Sequence, residues 1–226
     1  MTARIARVAG VSYLLIIVCG IYAEFFVRSA LIAPGDAAAT LQNIAGSELM
    51  FRSAIGSEFI MLICDVIVAM ALYVIFAGVH RSVALLMTFF RMVHAAIVGA
   101  NLLNLFVPLL LLRDGPALAG LAADQREALT MLALQAHSHG YVVGLVFFGV
   151  QCLLLGYLIL TSTLVPRLLG ALMIVAGTGY LVDGFARTML SNYADHEALF
   201  AAVVFGPAFI GALSLAMWLT VKGVKS

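Results

Sequence analysis

Six stretches of this chain are almost uninterrupted apolar sequence, roughly residues 7–32, 52–79, 83–112, 127–161, 167–189 and 197–221, and the polar residues between them fall into short clusters. A helix rising about 1.5 Å per residue needs about 20 residues to cross ~30 Å of hydrocarbon, and each stretch meets that length. The pattern therefore predicts an all-α integral membrane protein: one six-transmembrane-helix bundle spanning residues 1–226, with spans at the six stretches. The breaks carry turn chemistry. "APGDAAAT" offers Asp36 as a helix cap, "RDGP" closes the third span, and "DQRE" places Asp124 and Glu127 at capping-box spacing. Pro166 enters the fifth span at its first turn, where a missing N–H matters least, and Pro207 interrupts the sixth and is expected to kink it.

Basic residues set the expected orientation. With the N-terminus inside, Arg4, Arg7, Arg81, Arg167, Lys222 and Lys225 all lie on the cytoplasmic side, while Asp36, Glu48, Asp114, Asp124, Asp195 and Glu197 fall in outer loops or at outer ends. Both termini are then cytoplasmic, in a multi-pass protein of a bacterial plasma (inner) membrane. Arg4 and Arg7 before an apolar core invite comparison with a signal peptide, but the apolar stretch continues through Phe26 to Ile32, too long for a typical signal core. The expectation is that the first span is retained.

Composition narrows the function classes. Apolar residues make up 64% of the chain and charged residues 10%, and mean hydropathy is +1.14; the partner of such a surface is the lipid bilayer. A net charge of +1 without a Lys/Arg cluster excludes a nucleic-acid partner. Cys19, Cys64 and Cys152 lie in apolar runs without paired spacing and are read as packing residues. No Walker, Rossmann, nucleophile-elbow or CxxC signature occurs.

Ionisable groups inside a span are expensive and mark functional positions by default. Here they are Glu24, Arg28, Glu58, Asp65, Arg91, His94, His137, His139, Asp183 and Arg187. Advancing about 100° per residue places Tyr13, Glu24 and Arg28 on one face of the first span and Glu58 with Asp65 on one face of the second. Arg91, His94 and Asn101 form a stripe on the third, and Tyr180, Asp183 and Arg187 another on the fifth. On the fourth, His137, Tyr141, Gly144 and Gln151 share a face, whereas His139 lies about 200° from His137 and is expected to meet different surroundings. Counting from the middle of each span puts Glu24, Glu58, Asn101, His137 and Asp183 about 6 to 12 Å above the midplane and Asp65, His94 and Arg91 nearer the centre.

These stripes predict an outward-facing polar cavity binding or transporting a small polar molecule, lipid headgroup or proton-coupled solute. It would be lined by Glu24, Arg28, Glu58, Asp65, Arg91, His94, Asn101, His137, Tyr180, Asp183 and Arg187, with no cofactor required. A second reading is structural pairing alone: Glu24 with Arg28 and Asp183 with Arg187 at i,i+4, and Asp65 with Arg91 fixing helix register. A third is a membrane-embedded zinc hydrolase using His94, His137 and Asp65. A fourth is a partner subunit without a small-molecule site, its sixth span packing through Gly206, Ala208 and Gly211. Enzymatic activity and oligomeric state stay open. A weak parallel repeat relates "RVAGVSYLLIIVCGIYAEFFVR" to "RLLGALMIVAGTGYLVDGFAR".

Several segments together, "GIYAEFFVR" followed by "PGDAAAT", "CDVIVAMALYVIF", "FFRMVHAAIVGANLL", "GLVFFGVQCLLLGYLI", "PRLLGALMIVAG" and "GYLVD", resemble a bacterial membrane family known as domain of unknown function 4386. The run from Gly144 to Ile159 carries most of the resemblance. Family members often have His where this chain has Gln151. The resemblance implies a six-helix membrane protein and brings no activity with it.

Overall fold

The computed structural model describes residues 2–113 and 118–224; the expectations for Asp114 and Lys225 lie outside them. Among the described residues the chain is helical, with no strand. Helix α1 (Thr2–Ile21) continues through a π-helical segment (Tyr22–Arg28) into the short α2 (Ser29–Leu31). There follow α3 (Ala37–Gly46), α4 (Glu48–Phe76), α5 (Arg81–Asn101), α6 (Leu103–Leu111), α7 (Ala123–Leu160), α8 (Arg167–Met189), a 3₁₀ turn (Tyr193–His196) and α9 (Glu197–Val221). Five helical segments are long and apolar enough to cross a membrane: Ala3–Leu31, Glu48–Phe76, Arg81–Leu111, Ala123–Leu160 and Arg167–Met189. Helix α9 adds the shorter apolar segment Gly206–Val221.

Local sequence accounts for most boundaries. Asp36 caps α3, its Oδ1 accepting from Ala39 N at 2.8 Å, and His80 Nδ1 accepts from Val83 N at the start of α5. At the start of α7 the reciprocal bond comes from Gln125, whose Oε1 accepts from Ala122 N at 3.0 Å. Asp124 therefore sits inside the first turn and is not the cap its spacing suggested. Two further departures matter for the interior. The loop expected after the first span folds into α3. The third span breaks at Leu102, where Leu105 N turns to Leu102 O; six residues on, Pro108 cannot donate to the carbonyl of Asn104, so the α-helical ladder is already weakened there. Helix α9, by contrast, runs through Pro207 as one element.

The long helices close into a ring in chain order: α1 packs on α4, α4 on α5, α5 on α7, α7 on α8, α8 on α9, and α9 back on α1. Glycines permit the closest approaches. A methyl on Gly177 would lie 2.6 Å from Gly149 O, and one on Gly156 would lie 2.8 Å from Gly170 O, so α7 and α8 touch backbone to backbone. Gly10 meets Thr220 and Ala216 in the same manner where α1 meets α9. The last turn of the chain reaches Ala3 at 3.9 Å from the position of a Gly223 Cβ, so both ends of the chain lie at one end of the ring.

Two apolar clusters fill the ring's interior. One, near the chain ends, includes Ala6, Leu72, Phe76, Met87, Leu155, Leu158, Leu215 and Leu219. The other, toward α3, includes Val27, Ile44, Phe51, Ile55, Leu102, Leu105 and Leu134. Large apolar side chains such as Phe25, Ile63, Leu168 and Met189 are exposed on the outside. Such an apolar exterior suits lipid and not water.

Candidate functional site

Between the apolar clusters lies a layer of buried polar side chains contributed by α1, α4, α5 and α7. Its lower part is built around Arg91, only 1% exposed. Arg91 Nη2 donates to Asp65 Oδ1 at 2.5 Å, Nε to Asp65 O at 3.3 Å, and Nη1 to both Tyr13 OH at 2.8 Å and Gln151 Oε1 at 3.4 Å. The guanidinium also stacks on Tyr13 and Phe148, 4.7 and 5.4 Å from the two ring centroids. A planar fork of five donors is the side chain able to hold four groups from three helices at once.

His94 joins the same group. Its Nδ1 lies 2.9 Å from Gly144 O. A carbonyl only accepts, so Nδ1 carries the proton, and Nε2 is left facing Asp65 Oδ2 at 3.9 Å. The ring fits because Gly144 has no side chain: a Cβ there would lie 2.9 Å from Val98 and 3.3 Å from His94 Nδ1.

The upper part joins the π-helical segment to α4. Arg28, on the π-helical segment, donates through Nε to Glu24 Oε2 at 2.8 Å and through Nη1 to Glu58 Oε1 on α4. The three side chains differ in exposure: Glu24 is 56% exposed, Arg28 13% and Glu58 1%. Glu58 Oε2 is buried without a hydrogen-bond partner among the described residues, and so is Gln151 Nε2 lower down. Leaving such a group unpaired costs about 1–3 kcal/mol, more when it is charged.

Across the ring, Asn101 and His137 interlock. Asn101 Nδ2 donates to His137 O at 2.8 Å and lies 3.2 Å from His137 Nδ1. That same Nδ1 is 3.4 Å from Asn101 O. With Nδ1 bare the imidazole accepts from the amide; with Nδ1 protonated it donates to the carbonyl. The same ring position thus offers Nδ1 a partner in either tautomer of the neutral imidazole. Asn101 Oδ1 accepts from Asn104 Nδ2 at 2.9 Å. Tyr141 lies one turn along α7, its ring centroid 6.5 Å from that of His137. His139, in contrast, is exposed and donates to Gln135 O at 2.9 Å.

The stripe on α8 divides. Tyr180 meets the layer edge-on through Phe148, at 5.6 Å between centroids, and Phe148 in turn lies 4.9 Å from His94. Asp183 is buried, and Tyr193 OH donates to its Oδ1 at 2.6 Å. Arg187 stacks over that Tyr193 ring at 5.3 Å. Asp183 and Arg187 therefore share the tyrosine of the 3₁₀ turn. The two motifs of the weak repeat do different work, since Glu24 is exposed and pairs with Arg28 while Asp183 is buried under Tyr193.

Spacing alone passed over three contributors. Tyr13 shared a face with Glu24 but is Arg91's partner through tertiary contact. Tyr193 lies outside every span. Arg126 reaches back to Leu111 O and Leu118 O, tying the end of α6 to α7. Among the described residues no group of three His, Cys, Asp or Glu side chains converges so as to hold a metal ion. His94 and Asp65 approach each other, while His137 is engaged with Asn101. Of the small residues on the last span, Ala208 is buried, a Cβ on Gly211 would press on Met173 and Leu172 of α8, and a Cβ on Gly206 would meet no described neighbour within 4 Å.

Comparison with known proteins gives the chain a family. The profile of the family described as "Domain of unknown function (DUF4386)" matches residues 8–223. A protein of Archaeoglobus fulgidus described as "Uncharacterized protein" is 32% identical over 167 residues, covering 74% of this chain and 82% of the relative. No solved structure matches. Since the profile spans nearly the whole helical ring, including every residue of the polar layer, the chain belongs to the DUF4386 family.

Proposed function

We propose that this protein spans a bacterial plasma membrane six times, with both termini cytoplasmic, and binds and carries a small polar solute at its interior polar layer. The ring of six helices and the shared end of the two termini support an even number of crossings. Arg4, Arg7, Arg81, Arg167 and Lys222 sit at the termini or beside the turns at that end, as the positive-inside rule requires.

The observation that carries the reading is Glu58: a carboxylate 1% exposed, held by one oxygen to Arg28, its other oxygen unpartnered among the described residues. A purely structural ion pair gains by closing every lone pair, as Asp65 and Arg91 nearly do. The upper group is left open at a buried acceptor that a bound donor can satisfy, which is the chemistry of solute binding. The Asp65–Arg91–His94 group forms its floor. A groove of about 540 Å³ lined by Tyr22, Ser47, Glu48, Met50 and Ser53 lies at the start of the π-helical segment.

The test is a thermal-shift panel on purified protein with neutral, anionic and cationic polar solutes, followed by uptake into proteoliposomes. A solute that raises Tm in the wild type and not in Asn101→Ala is the expected result. If no solute shifts the wild-type Tm, the polar layer is structural and the reading fails.

A further inference from the structure

We propose that Glu24, Arg28 and Glu58 form a binding site for a primary ammonium group, with Glu58 Oε2 as its acceptor; this deepens the reading above and rests on it. Formal charge comes first. The group holds two carboxylates and one guanidinium and so carries one negative charge in excess, whereas Asp65 and Arg91 below balance one another. That excess favours a cation or a proton as the occupant of the upper group. Geometry comes second. Arg28 already engages one oxygen of each carboxylate, which leaves Glu58 Oε2, buried and unpartnered among the described residues, to receive a new donor.

The kind of cation follows from what surrounds that oxygen. A quaternary ammonium is recognised by faces of aromatic rings. On the π-helical segment Phe25 and Phe26 instead point outward, 69% and 63% exposed, and Tyr22 is bonded to Ser53 at 2.7 Å. A primary ammonium presents three donors from a compact charge and matches a single buried carboxylate oxygen. Glu24, exposed at the outer edge of the group, draws the cation in, and Arg28 links its position to Glu58 through one side chain.

The experiment uses the full chain in detergent micelles with ethylammonium chloride as probe, against sodium chloride and tetramethylammonium chloride at equal ionic strength, with Tm read by a dye that reports the buried cysteines. Ethylammonium at about ten times its Kd raises Tm by roughly 3–6 °C, and neither control salt does so. Glu58→Gln removes the shift. Because Glu58→Gln also breaks a buried ion pair with Arg28, Glu24→Gln provides an independent arm: it folds, being exposed, and weakens ethylammonium roughly 1.5- to 5-fold. Asp124→Asn, an exposed acid in the first turn of α7 and outside the lining of the groove at Tyr22, leaves the shift unchanged.

Equal shifts with sodium overturn the proposal, because the site would then be a general cation site. A Tm that responds to pH and not to ethylammonium also overturns it, because Glu58 would then satisfy its own oxygen with a proton. If neutral or anionic solutes shift Tm through Asn101 while ethylammonium does not, the ammonium site falls and the solute-binding reading stands. If nothing shifts Tm, both fall.

Discussion

Asn101 depends on an absence. A methyl group on Gly140 would lie 2.2 Å from its Oδ1 and 2.6 Å from its Cγ, so the amide occupies space that only glycine vacates. Its bonds to His137 O and Asn104 hold it there. Gly140→Ala is therefore expected to cost about 1–3 kcal/mol, because the amide must leave or the helices must part. Gly56→Ala, whose Cβ meets nothing within 4 Å, is the control and is expected to be neutral or to gain up to about 1 kcal/mol from helix propensity. Unfolding in mixed micelles measures both. The Asp65–Arg91 pair makes a second residue-scale prediction. Arg91→Ala strands a buried carboxylate and is expected to cost about 3–5 kcal/mol, while the double change Asp65→Leu, Arg91→Met recovers most of it because both charges leave together. A double-mutant cycle in the same micelles checks this, and additive costs would refute the coupling.

At the scale of elements, α7 organises the molecule. It is the longest helix, 38 residues, and its glycines serve two neighbours: Gly140 and Gly144 admit side chains of α5, while Gly149 and Gly156 admit the backbone of α8. The second kind of contact is the less forgiving. A side chain can rotate aside, but the carbonyl of Gly149 cannot move without shifting a whole helix. Gly177→Ala, with its Cβ 2.6 Å from that carbonyl, is accordingly expected to destabilise more than Gly140→Ala in the same assay. The π-helical segment is the other element that counts. Such segments are rare and recur at functional positions. Here Ser29 N reaches back five residues to Glu24 O, and its Oγ adds a second bond to that carbonyl at 2.9 Å, which fixes the turn presenting Arg28 to Glu58. Neither feature has a signature in hydropathy, since glycine and π-helical turns leave the apolar average unchanged.

For the whole molecule, the ring and its two interior clusters set what can be reached and from which side. Single cysteines introduced into a cysteine-free background test the topology. Asp36→Cys and Ser191→Cys are expected to react with a membrane-impermeant maleimide in intact cells, and Gly78→Cys and Thr163→Cys only after permeabilisation. The reverse pattern would invert the protein in its membrane and overturn the assigned sidedness. Helix α3 and the cluster around Phe51 and Leu105 cover the polar layer at the end away from the termini. A solute entering there has to pass them or come beside the π-helical segment.

Hydropathy and spacing by themselves determined the helices and the polar faces. Apolar runs of membrane length can satisfy their backbone only as helices, and a period of 3.6 residues puts Glu58 with Asp65, and Arg91 with His94 and Asn101, on single faces whatever surrounds them. Burial of His137 with exposure of His139 follows from the same geometry. Which face meets which was beyond the sequence, because lipid is as apolar as leucine and hydrophobicity does not choose partners among six apolar rods. The choice fell to glycine contacts and to polar bonds between segments far apart in the chain. That is why Tyr13 was found with Arg91, Tyr193 with Asp183, and Arg28 with a glutamate thirty residues away as well as with its own neighbour.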